Sequence, residues 1–274
     1  MNKTVFLFLF ICSLLQGQTP INLKDKSSNL QIAYANIWKE DKMFETSDSL
    51  GVFYVDDKYL NTNLKITAVG YKNKNHIIKI SGTTIYLETE AIELNEVKIV
   101  KRNNKNVVKL GRARRGDSSY GVQFDSKNGL CAKYFSNKSS IGFINKVKFC
   151  ATASERNRIV NLIFYSVGEN GEPKEILNTE NKIVRLKKGT HVVDVDVSNL
   201  DIQFPKEGLF VVIQHLLLEQ NKNYAKPYYP NAFFYEPTIA IDYTKGYQDT
   251  WYLKEGKWQK NSGFSINMGI SISD

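Results

Sequence analysis

Residues 98–116 read KIVKRNNKNVVKLGRARRG, and this run decides how the chain is divided. Eight of its residues are basic and none is acidic, whereas the segments before and after it carry almost balanced charge. Like charges repel one another and extend a linker. We therefore predict a basic linker over residues 100–116 that separates two domains. Such a linker could bind an anion, such as the phosphates of lipopolysaccharide, or an acidic partner, or serve only as a spacer.

The first eighteen residues have the pattern of a signal peptide. Lys3 supplies a positive charge, an apolar stretch follows over residues 5–15, and Gly17 offers a small residue for cleavage. The stretch is shorter than the roughly twenty residues that span a bilayer, and Cys12 lacks the small preceding residue of a lipoprotein site. We expect export to the periplasm or the periphery of the outer membrane, with no transmembrane helix in the mature chain. Nucleic acid is not an expected partner there.

The segment over residues 19–99 has the pattern of a β-sandwich. Short runs of alternating polarity are separated by Asp, Asn, Gly or Ser, and no long window shows a helical stripe. The predicted strands include residues 31–38, 51–55, 64–69, 77–80 and 84–87. Between them, Asp48 can cap its own turn and Gly51 can adopt the positive φ of a tight reversal. Phe53 and Val55 should then point to one face of their strand.

Four motifs in this segment carry a resemblance. They are IAYANIW at residues 32–38, TSDSLGVF at 46–53, LKITAVGYK at 64–72 and IELNEV at 92–97. In this order they resemble the motifs of carboxypeptidase-regulatory-like domains, although INL at residues 21–23 replaces the usual Gly-x-Val opening. The resemblance implies an N-terminal transthyretin-like sandwich of seven strands that carries no catalytic residues.

The segment over residues 117–274 also has a β pattern. Runs at residues 130–135, 144–153, 160–166, 183–186, 192–197, 209–213 and 264–272 are typical of strands, and Asn170-Gly171 is a strong turn signal. The run LDIQFPKEGLFV at residues 200–211 resembles C-terminal jelly-roll-like modules of exported Bacteroidetes proteins. We therefore predict an all-β chain in which the C-terminal domain is a jelly-roll or galactose-binding-like sandwich.

Two cysteines lie in predicted strands of the second domain. Cys131 and Cys150 could form a disulfide after export if their strands are neighbours, or could be two separately buried thiols. The histidines His76, His191 and His215 are scattered along the chain, and there is no CxxC motif. We therefore predict no metal site and no cofactor.

The carboxylates of the sequence give little indication of catalysis. Asp194 and Asp196 alternate with valines and should face solvent, and Glu172 and Glu175 flank Pro173 in a polar turn. No Gly-x-Ser-x-Gly elbow, HExxH motif or phosphate loop is present. We expect a protein that is not an enzyme, and the alternative is a carbohydrate-active hydrolase with a site on the C-terminal domain.

Aromatic residues are concentrated near the C-terminus. Eleven lie within residues 224–258, namely Tyr224, Tyr228, Tyr229, Phe233, Phe234, Tyr235, Tyr243, Tyr247, Trp251, Tyr252 and Trp258. They could fill the sandwich core, or exposed rings on loops could bind a sugar or a peptide. We predict a ligand site that draws on Tyr228, Tyr229, Tyr247 and Trp251. The expected function is non-catalytic binding or scaffolding in the envelope, with a glycan or a protein as partner.

Overall fold

The computed structural model describes residues 19–79, 82–90, 106–123, 129–137, 142–224, 232–243 and 249–273. These residues form strands β1 to β22 in four sheets, so the all-β prediction is confirmed. The helices of the described residues are three single 3₁₀ turns, at Asp57–Tyr59, Ser198–Leu200 and Glu219–Asn221. In this part of the chain no helix is long and apolar enough to cross a membrane. The predicted signal peptide, residues 1–18, lies outside the described residues.

The first domain is a sandwich of seven strands, as predicted. They are β1 Thr19–Asp25, β2 Asn36–Lys39, β3 Lys42–Thr46, β4 Val52–Val55, β5 Asn63–Thr67, β6 Lys74–Ile77 and β7 Thr84–Leu87. One sheet has the order β4-β1-β7, with β1 parallel to β7, and the other has the order β3-β2-β5-β6. The two sheets enclose one apolar core.

The turn before β4 shows why this sequence folds locally as it does. The Asp48 carboxylate accepts hydrogen bonds from the backbone N–H groups of Leu50, at 2.8 Å, and Val52, at 2.9 Å. Gly51 adopts a φ of +71°, which a glycine reaches without steric cost. Phe53 and Val55 then share one face of β4, as predicted, and that face lies in the core.

The second domain is a sandwich of two larger antiparallel sheets. Its strands are β8 Val107–Gly111, β9 Ser118–Gln123, β10 Leu130–Phe135, β11 Phe143–Ala153, β12 Ile159–Val167, β13 Pro173–Ile176, β14 Lys182–Arg185, β15 Gly189–Asp196, β16 Leu209–His215, β17 Lys222–Tyr224, β18 Phe233–Asp242, β19 Thr250–Lys254, β20 Lys257–Asn261, β21 Ser265–Ile266 and β22 Met268–Ser273. Sheet I has the order β13-β12-β16-β10-β19-β20, with β14 paired to β12. Sheet II has the order β17-β18-β11-β22-β8 and also holds β9, β15 and β21.

Strand β16 lies at the centre of sheet I and is buried on both faces. Leu209, Val211 and Ile213 point into the core between the two sheets. Phe210 and Val212 point to the opposite face of sheet I, where the first domain packs. Because both faces are covered, the run is continuously apolar rather than alternating.

The structure corrects the predicted linker. Val107–Gly111 is strand β8, which pairs antiparallel with β22 at the edge of sheet II. After this strand, the guanidinium of Arg114 forms an ion pair of 2.6 Å with Asp242. Leu110 packs against the core, so a single inward leucine fixes a strand whose other residues are polar or exposed. The second domain therefore begins before residue 117, and residues 100–105 of the predicted linker lie outside the described residues.

The two cysteines do not form the predicted disulfide. Cys131 lies on β10 of sheet I and points into the core between the sheets, whereas Cys150 lies on β11 of sheet II. Cys150 alternates with Phe149 and Ala151, which face the core, so its side chain is on the outer face of sheet II. Packed sheets are about 10 Å apart, beyond bridging distance. Both thiols are buried and free.

The two domains pack directly against each other. A buried hydrogen bond of 2.5 Å joins the Gln214 amide to the Asn36 side chain, and the backbone N–H of Leu217 donates to Thr46 at 3.0 Å. Met43 of the first domain packs with Leu217 and Tyr235 of the second. The domains thus form a continuous structure rather than two bodies joined only by an extended linker.

Candidate functional site

The outer face of sheet I carries an aromatic surface. The alternation that sends Val211 inward turns its neighbour Phe210 outward, and the same holds on the adjacent strands. We call this surface the aromatic face. Its members are Leu130, Ala132, Tyr134, Ile163, Tyr165, Phe210, Val212, Trp251, Leu253 and Trp258. Trp38 and Val69 of the first domain pack against it.

A cleft of about 720 Å³ lies between this face and the first domain. Tyr165, Leu253 and Trp258 line its floor, and Trp38 and Lys65 line the opposite wall. A cleft of this size at a domain interface is a common place for a small-molecule or oligomeric ligand. We call it the interdomain cleft.

Five partly exposed aromatic residues line the interdomain cleft, and the contacts of three of them, Trp38, Tyr165 and Trp258, fix their rings. Tyr165 and Trp258 pack edge to face, with ring centroids 5.8 Å apart and an interplanar angle of 76°. The indole N–H of Trp38 donates to the Thr67 hydroxyl at 2.9 Å, which fixes the orientation of that ring. Burial raises the pKa of the Tyr165 phenol, which is a hydrogen-bond donor at neutral pH with or without that shift. The rings offer apolar surface with polar atoms at its margin.

A chain of side-chain amides holds the cleft in shape. Asn161 donates to Gln214 at 3.0 Å and to Asn181 at 2.7 Å. Gln214 donates to Asn36, and Asn181 donates to the backbone carbonyl of Ala33 at 3.1 Å. Because the chain crosses between the domains at two points, the cleft is formed before any ligand arrives.

Charged residues of both signs lie around the interdomain cleft. They are Asp41, Lys65, Glu90, Lys174 and Glu175. Of the two predicted glutamates, Glu175 lines this cleft, whereas Glu172 packs beside Gly168 in the preceding turn. Asp194 and Asp196 are far from it, on the outer face of sheet II, where Asp194 pairs with Lys148 at 2.8 Å. Neither predicted carboxylate pair therefore converges on the cleft.

Of the four residues predicted to form the aromatic site, one, Trp251, lies within the described residues. Tyr228, Tyr229 and Tyr247 lie outside the described residues. Trp251 is on β19 in the aromatic face, where its ring packs edge to face with Phe210 at 6.0 Å. The Lys260 ammonium lies 5.8 Å from the centroid of the Trp251 ring. Trp251 belongs to the same aromatic face as Tyr165 and Trp258 but does not line the interdomain cleft.

A second cavity, of about 630 Å³, lies where the end of β8 meets β10. Its charged residues are Arg112, Arg114, Lys133, Asp242 and Asp249, and we call it the charged cavity. Lys133 is 8% exposed, and its ammonium donates to the Ile266 carbonyl at 2.6 Å and the Ser265 hydroxyl at 3.1 Å. The Asp249 carboxylate lies 3.3 Å from the same ammonium. These residues were not singled out from the sequence, because a single lysine in an apolar strand gives no spacing signal.

The two carboxylates of the charged cavity are held as ion-pair partners. Burial favours a higher pKa for Asp242, but the hydrogen bond from Asn267 and the charge of Arg114 outweigh it and leave the pKa below its usual value. A general acid of a glycosidase needs the opposite, a carboxyl with a raised pKa. The ionised carboxylate of Asp242 is instead suited to a structural ion pair.

His215 and Cys131 lie near each other on the inner face of sheet I. Ile213 is the partner of Cys131 across the β10–β16 pair, and His215 follows two residues later. Burial lowers the pKa of His215 to about 4, and its Nε2 donates to the Pro237 carbonyl at 2.8 Å. Burial also raises the pKa of the Cys131 thiol, so the nucleophilic thiolate is disfavoured. This pair is buried core rather than an accessible nucleophile and base.

Comparisons with known proteins leave the function to be argued from the site. No family model and no curated protein matches the chain. One solved structure with some similarity contains the cysteine protease and lectin-like domains of Cwp84, a surface layer associated protein of Clostridium difficile. The identity is 12%, the TM-score is 0.42, and the match covers 84% of this chain and 45% of that chain.

Another solved structure is the VP2 subviral particle of infectious bursal disease virus. The identity is 8%, the TM-score is 0.24, and the match covers 93% of this chain and 64% of that chain. The chain therefore spans less than two thirds of either of these structures.

Proposed function

We propose that this protein is a non-catalytic carbohydrate-binding protein of the cell envelope, exported to the periplasm or the outer-membrane periphery. The ligand lies in the interdomain cleft, over the aromatic face. The observation that carries the proposal is the arrangement of Trp38, Tyr165 and Trp258 around one preformed cleft of about 720 Å³. The resemblance of the first domain to regulatory-like modules, which lack catalytic residues, supports the non-catalytic part.

The chemistry of the cleft suits a sugar. A pyranose ring presents a C–H face that packs on an aromatic ring, and its hydroxyls exchange hydrogen bonds with amides and hydroxyls. The cleft offers both kinds of group, since Tyr165 and Trp258 share it with Thr67 and Asn73, which keep exposed surface. Residues of both charge signs line it, which favours a neutral ligand over a strongly charged one.

The preformed shape of the cleft supports binding without turnover. Ordering of side chains costs about 0.5–1.5 kcal/mol each when a ligand binds a flexible surface. Here the amide chain through Asn161, Gln214 and Asn36 holds the walls, and Thr67 holds Trp38. A rigid site of this kind binds its ligand without a conformational change.

Calorimetry on the mature chain with an array of neutral oligosaccharides tests the proposal. Trp258→Ala should weaken binding at least about tenfold, as expected for a ring at the centre of a binding site. Tyr165→Ala and Tyr86→Ala form a matched pair, since Tyr86 is 42% exposed on the first domain and does not line the cleft. Tyr165→Ala should weaken binding and Tyr86→Ala should not.

Three results would contradict the proposal. The first is the absence of binding to any glycan of a broad panel, and the second is equal binding by Trp258→Ala and the unmodified chain. The third is release of reducing ends from a bound glycan. That result would favour the alternative of a carbohydrate-active hydrolase, and Glu90→Gln and Glu175→Gln, at carboxylates of the interdomain cleft, would then be the first variants to assay.

A further inference from the structure

The second half of the basic run is fixed around the charged cavity. Gly111 at the end of β8 pairs with Gly269 of β22. The following segment is held by Asp242, which pairs with Arg114 at 2.6 Å and accepts the backbone N–H of Asp117 at 3.3 Å. Arg112 and Arg114, which lie between these two anchors, both line the cavity. The Arg114 guanidinium is thus held by its ion pair, and the backbone that carries Arg112 is anchored on both sides.

The charges inside the cavity do not balance. Asp249 is paired with Lys133, and Asp242 is paired with Arg114 and also accepts a hydrogen bond of 3.0 Å from Asn267. Lys133 uses its three N–H groups on Asp249, Ser265 and the Ile266 carbonyl. Within the described residues Arg112 forms no ion pair, although it lines the same cavity. One positive charge is therefore left without a compensating anion.

Arg114 keeps hydrogen-bonding capacity beyond its ion pair. Its side chain is 55% exposed, and only one of its nitrogens contacts Asp242. A guanidinium has five N–H donors, arranged in a planar fork that matches the oxygens of a carboxylate, sulfate or phosphate. Two such forks on one cavity can grip an oxyanion with several charge-assisted hydrogen bonds.

We propose that the charged cavity is an oxyanion-binding site, in which Arg112 and Arg114 hold the anionic group of a small acidic ligand. The cavity volume of about 630 Å³ fits a ligand of sugar size. Leu110 and Phe135, which pack with the core, line its apolar side, and Ser136, Ser265 and Asn267 are its uncharged polar residues. This site is separate from the interdomain cleft, since none of its residues lines that cleft.

Titration calorimetry on the mature chain tests the site with four probes. They are glucuronate, a sulfated glucose, inorganic phosphate and, as the neutral control, glucose. Arg112→Ala should weaken binding of the anionic probes at least about tenfold, the value of one lost charge-assisted hydrogen bond. Arg156→Ala is the matched control, because Arg156 is exposed, lies in the turn between β11 and β12, and does not line the cavity.

A variant with the opposite expected effect sharpens the test. Asp242→Asn removes the internal anion that competes for Arg114, so anionic probes should bind more tightly. If glucuronate or sulfated glucose binds more tightly than phosphate, the oxyanion belongs to an acidic sugar. If phosphate binds more tightly, the ligand is a phosphate. Equal effects of Arg112→Ala and Arg156→Ala, or glucose bound as well as glucuronate, overturn the proposal.

The outcome is independent of the proposed glycan function. Trp258→Ala should leave binding of the anionic probes unchanged, and Arg112→Ala should leave binding of a neutral glycan in the interdomain cleft unchanged. Loss of either kind of binding alone therefore tests only one of the two sites.

Discussion

The two faces of sheet I are built from the same strands but have different compositions. The inner face, with Phe164, Val211 and Ile213, is closed against sheet II. The outer face, with Tyr165, Phe210 and Trp258, is only partly covered by the first domain and borders the interdomain cleft. If the interdomain cleft binds a ligand as proposed, the same alternating strands serve stability on one side and recognition on the other. Substitutions on the two faces should therefore affect different measurements.

The largest expected effect belongs to the inner face. Phe164 is fully buried, so Phe164→Ala should lower the free energy of unfolding by about 3–5 kcal/mol. Trp258→Ala removes a larger ring from a partly exposed position and should cost clearly less stability while weakening glycan binding. Urea unfolding of both variants measures the contrast. An equal loss of stability in the two variants would contradict the separation of roles between the faces.

The pH dependence of stability should report on His215 at the end of the inner face. Its pKa is lowered by burial from 6.5 to about 4, so the unfolded chain binds a proton at a higher pH than the native chain. The resulting stability is complete above about pH 6.5 and is lost as the pH falls toward 4, up to about 3 kcal/mol. The unfolding free energy, measured between pH 7 and 4, should decline less in His215→Gln than in the unmodified chain.

A matched variant separates this effect from other titrations. His191→Gln changes a histidine whose side chain is exposed on β15, so the pH profile should stay the same as that of the unmodified chain. If His191→Gln and His215→Gln flatten the profile equally, burial of His215 does not control it.

The amide chain beneath the outer face should have a smaller effect. Gln214→Leu leaves the buried Asn36 side chain without its 2.5 Å hydrogen bond, which should cost about 1–3 kcal/mol. Unfolding followed by separate probes in the two domains should also become less concerted. Gln31→Leu, on an exposed residue of the first domain, is the control. Unchanged stability in Gln214→Leu would mean that the amide chain does not hold the domains together.

The smallest expected effect is at the exposed margin of the aromatic face. Lys260→Met removes the ammonium that lies 5.8 Å from the centroid of Trp251 and keeps most of the apolar stem. The stability should fall by no more than about 0.5–1 kcal/mol. Thermal unfolding in low and high salt measures it, and a larger loss would mean that Trp251 depends on this contact for its position.

The sequence was sufficient to predict strands but not their neighbours. Residues 130–135 form β10 as predicted, and the turn at Asp48 and Gly51 has the expected hydrogen bonds and positive φ. An alternating pattern indicates which residues share a face, but it contains no information about which strands pair. For that reason Cys131 and Cys150 seemed able to form a bridge, although their strands belong to different sheets.

The candidate site was predictable only in part for a related reason. Trp251 is predicted to be an exposed ring of the ligand site, whereas it lies on a strand of the aromatic face and does not line the cleft. For Trp258 the sequence leaves a core position and an exposed one open, and the structure places it at the cleft. Alternation gives two faces without indicating which one is covered by a second sheet. Trp38 comes from the other domain, so only the packing of the two domains brings it to the cleft. The basic run predicts a linker because its many charges outweigh the one apolar residue, Leu110 of β8, that packs against the core.

The pairing of β8 with β22 has a consequence for the order of folding during synthesis. Within the described residues these are the first and last strands of the second domain, and they lie side by side at the edge of sheet II. Gly269, the partner of Gly111, follows it in the chain by 158 residues, and β11 also pairs with β22. Pairing over such a sequence distance is slow. The edge of sheet II therefore closes only after β22 has been synthesised, so the second domain folds as a whole rather than strand by strand.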